Sequence, residues 1–253
     1  MNELALFAGG GGSILAGELL GWRTRCAVEI DPGARRILLD RQRDGVIGEF
    51  PIWDDIRTFD GAAWSGSIDV ITGGFPCQDI SQCGAGKGIN GDRSGLWFEM
   101  ARVIGEVRPK ITLIENSPML VTRGLDRVLA DLAEMGMSAQ WGCFRASSIG
   151  ACHHRERIYI LAYTDSEQLK GVDIQKPVFT DPQESRRRQL ARAIDAAIPA
   201  DDYASMSRDP GDVARGMDGL KATGNGWVPA VAARAFKTLV IAAKGETHDA
   251  RAF

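Results

Sequence analysis

The chain has 253 residues, of which 44% are hydrophobic and 25% are charged, a composition typical of a globular protein with one sizeable core. Its net charge of −3 at pH 7 excludes a globally basic nucleic-acid-binding surface, so any such surface has to be local. No run of about 18 apolar residues predicts a membrane span, and the N-terminal residues lack the basic region of a signal peptide.

The cysteines give a further constraint on the class of protein. Their number is odd and no two form a C-x-x-C pair, which disfavours a disulfide framework and a zinc site: Cys26, Cys77, Cys83, Cys143 and Cys152. Free thiols are typical of a reducing compartment, so we expect a cytoplasmic protein without a bound metal.

Short apolar runs alternate with segments of helical periodicity along most of the chain. Strands are predicted at 4–7, 24–30, 68–74, 110–117 and 157–163. Helices are predicted at 13–21, 31–42, 96–107 and 124–136, with a loop and a final helix over 224–244. Ser13 and Asp31 stand where the N-caps of the first two helices are expected. Strands that alternate with helices predict an α/β fold with a doubly wound, mostly parallel sheet.

The regular pattern stops after Tyr163. Residues 164–208 are polar and include the charged stretch ESRRRQLAR, so we interpret them as a small insert. We therefore expect an α/β domain at 1–163, the insert at 164–208, and a C-terminal segment at 209–253 that returns to the first domain.

The first predicted strand ends in a glycine-rich stretch, FAGGGG at 7–12, directly before a helix. Glycines there let backbone N–H groups approach a ligand, and Glu29 ends the second strand 20 residues after Gly9. In a doubly wound sheet such a carboxylate binds ribose hydroxyls, which favours a nucleotide site over a plain surface turn. Ile14 replaces the third glycine of a dinucleotide fingerprint, so we expect an adenosine without a pyrophosphate. Asp55 is a second acidic candidate, for an adenine amino group.

Later strands end in a second group of reactive side chains. Cys77 lies in GGFPCQDIS, just past a strand, where ligands of an open parallel sheet bind. Glu115 ends ITLIEN and is a candidate acid or base, while Arg155 and Arg157 stand one pleat apart in HHRER. Taken singly, each has an ordinary explanation as an inert thiol, a capping carboxylate or a solvated arginine. Together they suit nucleophilic addition to a polar ring.

A series of motifs in this order resembles the DNA (cytosine-5)-methyltransferase family of bacteria and phages. FAGGGG resembles its F-x-G-x-G-G turn, VEID at 28–31 its ribose-binding strand end, and GGFPCQDIS its P-C-Q nucleophile loop. Four further stretches resemble later motifs: RSGLWFEMARVI, ENS, GACHHRERIYILA and GNGWVP. The resemblance covers residues 4–163 and about 208–240, and it implies the fold of S-adenosylmethionine-dependent methyltransferases.

The resemblance implies transfer of a methyl group from S-adenosylmethionine to C5 of cytosine in duplex DNA, with S-adenosylhomocysteine as the product. It implies that Cys77 adds to C6 of the base, that Glu115 acts at N3, and that Arg157 holds O2 with support from Arg155. The cofactor contacts that it implies are Phe7, Gly9, Gly11, Gly12, Glu29, Ile30, Asp55, Ile56, Pro76, Leu96 and Asn225.

On the DNA side, the resemblance places Gln78 and Ser81 of the nucleophile loop near the substrate, whose target base has to be flipped out of the duplex. The insert stands where the family has its target-recognition domain. Its Arg186, Arg187 and Arg188 are expected DNA contacts, although a solvated charged surface explains them equally well. We therefore expect a monomer that binds double-stranded DNA and no membrane, and a cognate restriction endonuclease is left open as a partner.

The chain also departs from the family pattern. Ala5 stands where an aspartate is usual, Ser117 and His153 replace a common valine and glutamine, and the insert is much shorter than a usual target-recognition domain. Two alternatives stay open: a tRNA (cytosine-5)-methyltransferase on the same scaffold, and an inactive methyltransferase-like protein that binds nucleic acid. An NAD dehydrogenase and an amino-methyltransferase are disfavoured, because the third fingerprint glycine and a [DNS]-P-P-[YFW] motif are both missing.

Overall fold

The computed structural model describes residues 1–76, 95–149, 155–164, 169, 172 and 226–245. Within them seven strands form one sheet in the order β3-β2-β1-β4-β5-β7-β6. The strands are β1 (Asn2–Leu6), β2 (Arg23–Val28), β3 (Ile52–Trp53), β4 (Val70–Gly73), β5 (Ile111–Asn116), β6 (Ser138–Arg145) and β7 (Glu156–Tyr163). β1 pairs in parallel with β2 and β4, as do β2 with β3 and β4 with β5, whereas β7 is antiparallel to β5 and β6.

Helices cover both faces of this sheet. They are α1 (Gly12–Leu19), α2 (Pro32–Arg43), α3 (Leu96–Val107), α4 (Leu120–Arg123), α5 (Leu125–Glu134) and α6 (Pro229–Ala243). Successive strand residues point to opposite faces, so Leu4 and Leu6 join the core under α3 and α5 while Ala5 packs with α1 and α2. α6 packs against α1, β6 and β7. The expected α/β fold with a mostly parallel, doubly wound sheet is confirmed.

Of the two helix N-caps predicted from the sequence, one is confirmed and one is wrong. Asp31 is the N-cap of α2 and accepts a hydrogen bond of 2.8 Å from the N–H of Ala34. The prediction for Ser13 is wrong, because α1 begins one residue earlier at Gly12 and its N-cap is Gly11, in the left-handed region at φ 92°. Ser13 lies inside the first turn, where it is 3% exposed.

Two strands were not expected from the sequence, β3 and β6. β3 has only two residues and pairs with the end of β2, and β6 is an edge strand in which no residue is buried. Among the described residues no helix combines the length and apolar character that a membrane crossing requires.

The topology collects the predicted site residues at one edge. Parallel strands β1 to β5 all end there, which places Glu29 after β2, Asp55 after β3 and Glu115 at the penultimate position of β5. Because β7 runs the other way, its first residues come to the same edge, and Ile158 pairs with Asn116. The arginines at the start of β7 therefore lie beside the carboxylate at the end of β5.

Candidate active site

The glycine-rich turn after β1 is held by the side chain of Glu29. Its Oε2 accepts a hydrogen bond of 2.6 Å from the N–H of Gly9, and its Oε1 accepts one of 2.8 Å from the N–H of Asp31. The residue is 9% exposed. Burial raises the pKa of this carboxyl, and the two backbone donors oppose that shift. Glu29 thus fixes the turn and presents a buried carboxyl group at the end of β2.

The turn is also pressed closely against the segment that leads into α6. A Cβ atom at Gly12 would lie 2.6 Å from the carbonyl oxygen of Trp227, so only glycine fits there. On the other side of the turn, the guanidinium group of Arg41 in α2 donates a hydrogen bond to the carbonyl of Gly10. The turn is therefore fixed by α2, by β2 and by residue 227.

Phe7 precedes the glycines and has an uncommon backbone conformation, with φ at +52°. A bulky residue in the left-handed region costs free energy, and such strain concentrates at ligand sites. The side chain is half-buried against the core under α3. Leu96, the first residue of α3, and Pro76 are also half-buried.

The loop after β3 contains the other predicted cofactor residues. Ile56 is buried at 4% exposure, whereas Ile30 after β2 is 57% exposed. Asp55 is engaged by its neighbour Arg57, whose Nη2 lies 2.7 Å from Oδ2, and this hydrogen-bonded partner lowers the pKa of Asp55. The carboxylate is not buried by that pairing, since its side chain stays 24% exposed.

A buried ion pair joins the ends of β5 and β7. Arg157 Nε lies 2.9 Å from Glu115 Oε1, and the side chain of Glu115 is 7% exposed. The N–H is poorly aligned with the oxygen, so Oε1 accepts no regular hydrogen bond. Burial raises the pKa of Glu115 to about 7, although the charges of Arg157 and Arg155 lower it. Arg155 lies beside the pair and donates a hydrogen bond of 2.6 Å from Nη2 to the carbonyl of Gly226.

The segment that leads from β4 towards Cys77 is packed against this pair. A Cβ atom at Gly74 would lie 2.9 Å from Glu115 Oε2 and 2.9 Å from Trp227 Nε1, so the carboxyl group and the indole N–H converge on this glycine. One residue further, the carbonyl of Phe75 accepts a hydrogen bond of 3.1 Å from Asn116 Nδ2. These contacts fix the chain two residues before the predicted nucleophile.

Trp227 is the residue of this region that the sequence did not single out. It is 9% exposed, it crowds both Gly12 and Gly74, and its ring meets Tyr159 edge-on at 5.6 Å. The signal available in the sequence was a large aromatic residue directly after the second glycine of GNG.

Several predicted site residues lie outside the described residues. They are the nucleophile candidate Cys77, its loop neighbours Gln78 and Ser81, the cofactor candidate Asn225, and the insert arginines Arg186, Arg187 and Arg188. The structure brings Glu115, Arg155 and Arg157 together at one end of the edge and Glu29 to the other. The roles assigned to all of these residues stay predictions.

The sequence is similar to those of known proteins. A family model described as C-5 cytosine-specific DNA methylase matches residues 1–213. The type II methyltransferase M.CviJI of Paramecium bursaria Chlorella virus IL3A is 37% identical over 181 residues, which are 69% of this chain and 47% of that protein. The type II methyltransferase M.Eco47II of Escherichia coli is 30% identical over 179 residues, 69% of this chain and 42% of that protein.

Solved structures share the fold. The Entamoeba histolytica methyltransferase EhMeth matches with a TM-score of 0.66 at 12% identity, covering 96% of this chain and 98% of that one. At that identity the likeness concerns the fold alone. The chain spans about half the length of the curated relatives that it matches.

Proposed function

Because the chain belongs to the family of C-5 cytosine-specific DNA methylases, we propose that it transfers the methyl group of S-adenosylmethionine to C5 of cytosine in duplex DNA. The observation that carries the proposal is the buried pair of Glu115 and Arg157, 2.9 Å apart, packed against the segment that leads to Cys77. A carboxyl and a guanidinium group in that position match the polar edge of a cytosine, which offers N3 and O2 side by side.

The chemistry explains why a cysteine is needed next to this pair. C5 of cytosine is a weak nucleophile until a thiolate adds to C6. In the proposed reaction the Cys77 sulfur bonds to C6, the electrons of the C5=C6 bond shift towards N3, and N3 takes a proton from Glu115. C5, now enamine-like, would then accept the methyl group that S-adenosylmethionine supplies when bound, with S-adenosylhomocysteine as the leaving group. A base removes the C5 proton, N3 returns its proton to Glu115, and the C6–S bond breaks to release the thiolate.

Glu115 suits the role of a proton donor near neutral pH. An ordinary glutamic acid is almost fully ionised at pH 7, whereas burial brings the pKa of Glu115 to about 7, so a sizeable fraction holds a proton. Its Oε1 has acceptor capacity left, because no regular hydrogen bond reaches it within the described residues. That free capacity suits the exocyclic amino group of cytosine, a donor next to N3.

The residues at the other end of the edge fit the proposed cofactor, S-adenosylmethionine, which supplies an activated methyl group when bound. Each oxygen of Glu29 accepts one backbone N–H and keeps a second lone pair, which is what two neighbouring ribose hydroxyls need. We place Asp55 and Ile56 at the adenine and Asn225 near the methionine carboxylate, and Phe7, Gly9, Gly11, Gly12, Ile30, Pro76 and Leu96 around the rest.

Double-stranded DNA is the proposed substrate, and a stacked base cannot reach a nucleophile at the end of a sheet. We therefore propose that the target cytosine is flipped out, with Gln78 and Ser81 next to the DNA. The residues 164–208 would contact DNA around that base. We further propose that the enzyme acts as a cytoplasmic monomer, and a paired restriction endonuclease would fit the type II relatives.

The test is Cys77→Ser, with Cys143→Ser as the matched control, because Cys143 is an exposed free thiol on β6. Transfer of tritiated methyl groups to duplex DNA should fall by several orders of magnitude in the first variant and stay unchanged in the second. Cofactor binding should survive in both. DNA with 5-fluorocytosine at the target should form a stable adduct with the wild type only, because the fluorine blocks the final elimination.

The same assay discriminates the other functions. Methylation of tRNA but not of duplex DNA would identify tRNA as the substrate and leave the proposed mechanism unchanged. Full activity of Cys77→Ser would refute the covalent step. An absence of transfer to either nucleic acid, with cofactor bound, would identify an inactive member of the family. Bisulfite sequencing of DNA from cells that express the chain would then give the methylated sequence.

A further inference from the structure

Arg102 in α3 reaches across to the loop that follows β3. Its Nη2 donates a hydrogen bond of 2.7 Å to the carbonyl oxygen of Ile56, and its Nη1 donates one of 3.1 Å to that of Phe59. One guanidinium group therefore spans two carbonyls of the same loop. The fork geometry of arginine suits such a contact, whereas a lysine ammonium group cannot meet both acceptors at once.

Two carboxylates of the same helix hold this guanidinium group in place. Arg102 Nε lies 2.9 Å from Glu99 Oε2, and Nη1 lies 2.8 Å from Glu106 Oε1. Glu106 itself accepts a hydrogen bond of 2.9 Å from the N–H of Gly61. The loop is thus attached to α3 by three of its backbone groups, through one arginine and one of its acidic partners.

The loop needs this attachment because the sheet gives it little support. β3 has only two residues and lies at the edge of the sheet, so backbone pairing ends before the loop begins. A single turn of 3-10 helix over Ile56–Thr58 follows, capped by Asp55. Burial of Ile56 at 4% and of Phe59 at 3% exposure holds two side chains of the loop, but it does not fix the direction of the neighbouring carboxylate.

We infer that Arg102 is a positioning residue for the adenine end of the cofactor site. The inference rests on the proposed function, which puts Asp55 and Ile56 at the adenine. Arg102 sets where these two residues stand relative to α3, and α3 begins with Leu96, another proposed cofactor contact. The loop after β3 and the start of α3 then form the two sides of the proposed adenine site. The Arg102 side chain keeps these two sides at a fixed separation, although it touches no cofactor atom itself.

The test compares Arg102→Lys and Arg102→Ala with Arg127→Lys as the matched control. Arg127 also forms an ion pair with a carboxylate four residues along its own helix, since its Nε lies 2.8 Å from Asp131 Oδ1. Its guanidinium group lies over the exposed ring of Phe98. Affinities for S-adenosylmethionine, S-adenosylhomocysteine and adenosine should be measured by calorimetry or competition, well below the unfolding temperature of each variant.

Both Arg102 variants should bind all three ligands roughly tenfold more weakly, with similar losses for adenosine and for the full cofactor, because the adenine wall has moved. Methyl transfer at saturating cofactor and affinity for DNA should stay close to wild type, a split that general destabilisation does not produce. Arg127→Lys should bind like wild type.

Wild-type affinity in both Arg102 variants would overturn the inference and leave the proposed function intact. A loss for S-adenosylmethionine without a loss for adenosine would overturn it as well, since the effect would then lie at the methionine end. If the wild type itself binds none of the three ligands, the proposed cofactor fails and the inference falls with it.

Discussion

Glu29 illustrates how a single side chain serves both the fold and the proposed site. Its two oxygens hold the N–H groups of Gly9 and Asp31, which belong to the turn after β1 and to the N-cap of α2. The same oxygens are the proposed ribose acceptors. A substitution therefore removes the ligand contact and releases the turn that surrounds the ligand.

We predict that Glu29→Ala weakens binding of S-adenosylmethionine by roughly 1–3 kcal/mol, the cost of leaving buried hydrogen-bonding groups unpaired. Isothermal titration calorimetry measures this directly, and Glu49→Ala, at an exposed residue before β3, is the control. An affinity unchanged by Glu29→Ala would move the ribose contact to another residue.

The pairing of Glu115 with Arg157 shows a limit of reading residues from the sequence. Each residue was recognisable as a candidate, yet their contact depends on β7 running antiparallel to β5, which no local pattern reveals. The approach of Trp227 to Gly12 and Gly74 was hidden for the same reason, because it joins three segments that are far apart in the chain. Residue types and strand ends were predictable, and the contacts between them were not.

Among the elements, those with a strong apolar pattern were predictable. β1, β2, β4, β5 and β7 are buried runs next to turn signals, and α3 and α5 have one apolar face each. β3 was not predicted because its two residues are too few to show a periodic pattern of apolar residues. β6 escaped because its residues are exposed or half-buried throughout, as an edge strand allows. The sequence thus predicted the covered parts of the sheet and missed its two margins.

The insert at 164–208 lies largely outside the described residues, so its role stays a prediction from the sequence. A segment this short reaches few base edges, and each good bidentate contact contributes about 1–3 kcal/mol of discrimination. We therefore predict a short or relaxed recognition sequence of roughly two to four base pairs.

Arg186, Arg187 and Arg188 are consecutive and cannot all face one groove, so we predict that they mostly contact phosphates. Their combined replacement by alanine should weaken DNA binding similarly for all sequences. It should also flatten the dependence of log affinity on log salt concentration by up to about three phosphate contacts. A changed methylated sequence would instead assign base contacts to these arginines, and an unchanged affinity with an unchanged salt slope would leave them as a solvated surface.

Over the entire fold, the centre of the sheet holds a further buried carboxyl group, and the proposed reaction does not use it. Glu3 in β1 is fully buried and accepts hydrogen bonds of 2.7 Å from the hydroxyls of Thr24 in β2 and Thr72 in β4. Burial raises the pKa of Glu3 to about 7, with a smaller contribution from the charge of Glu18. Three neighbouring strands thus meet at one titratable group.

This arrangement makes the stability of the protein depend on pH. Below about pH 4.5 Glu3 is protonated in both the folded and the unfolded state. Between that value and pH 7 the folded protein keeps a proton that the unfolded chain releases, so the free energy of unfolding falls as the pH rises through this window. Glu115 acts in the same direction, since its pKa is also raised to about 7.

We predict that Glu3→Gln, which cannot ionise, raises the unfolding midpoint relative to wild type at pH 8, and that the difference shrinks towards pH 5. One pKa unit corresponds to about 1.4 kcal/mol, so the effect at pH 8 should reach a few kcal/mol. Denaturant titrations across this range give the comparison, with Glu134→Gln at an exposed position of α5 as the control. Parallel pH profiles for Glu3→Gln and wild type would show that Glu3 does not titrate in this window.

The packing of α6 against α1 affects the protein while it is being made. α1 ends at Leu19 and α6 begins at Pro229, so α1 leaves the ribosome long before its partner helix. Until α6 has been synthesised, it cannot cover the apolar residues of β5 and β7 with which it shares a core, such as Leu113 and Leu161. A nascent chain in that condition is exposed to aggregation, and chaperones bind such surfaces. Synthesis of α6 is therefore the step that closes this part of the core, and a chain terminated early within 164–208 would leave those residues without their α6 cover.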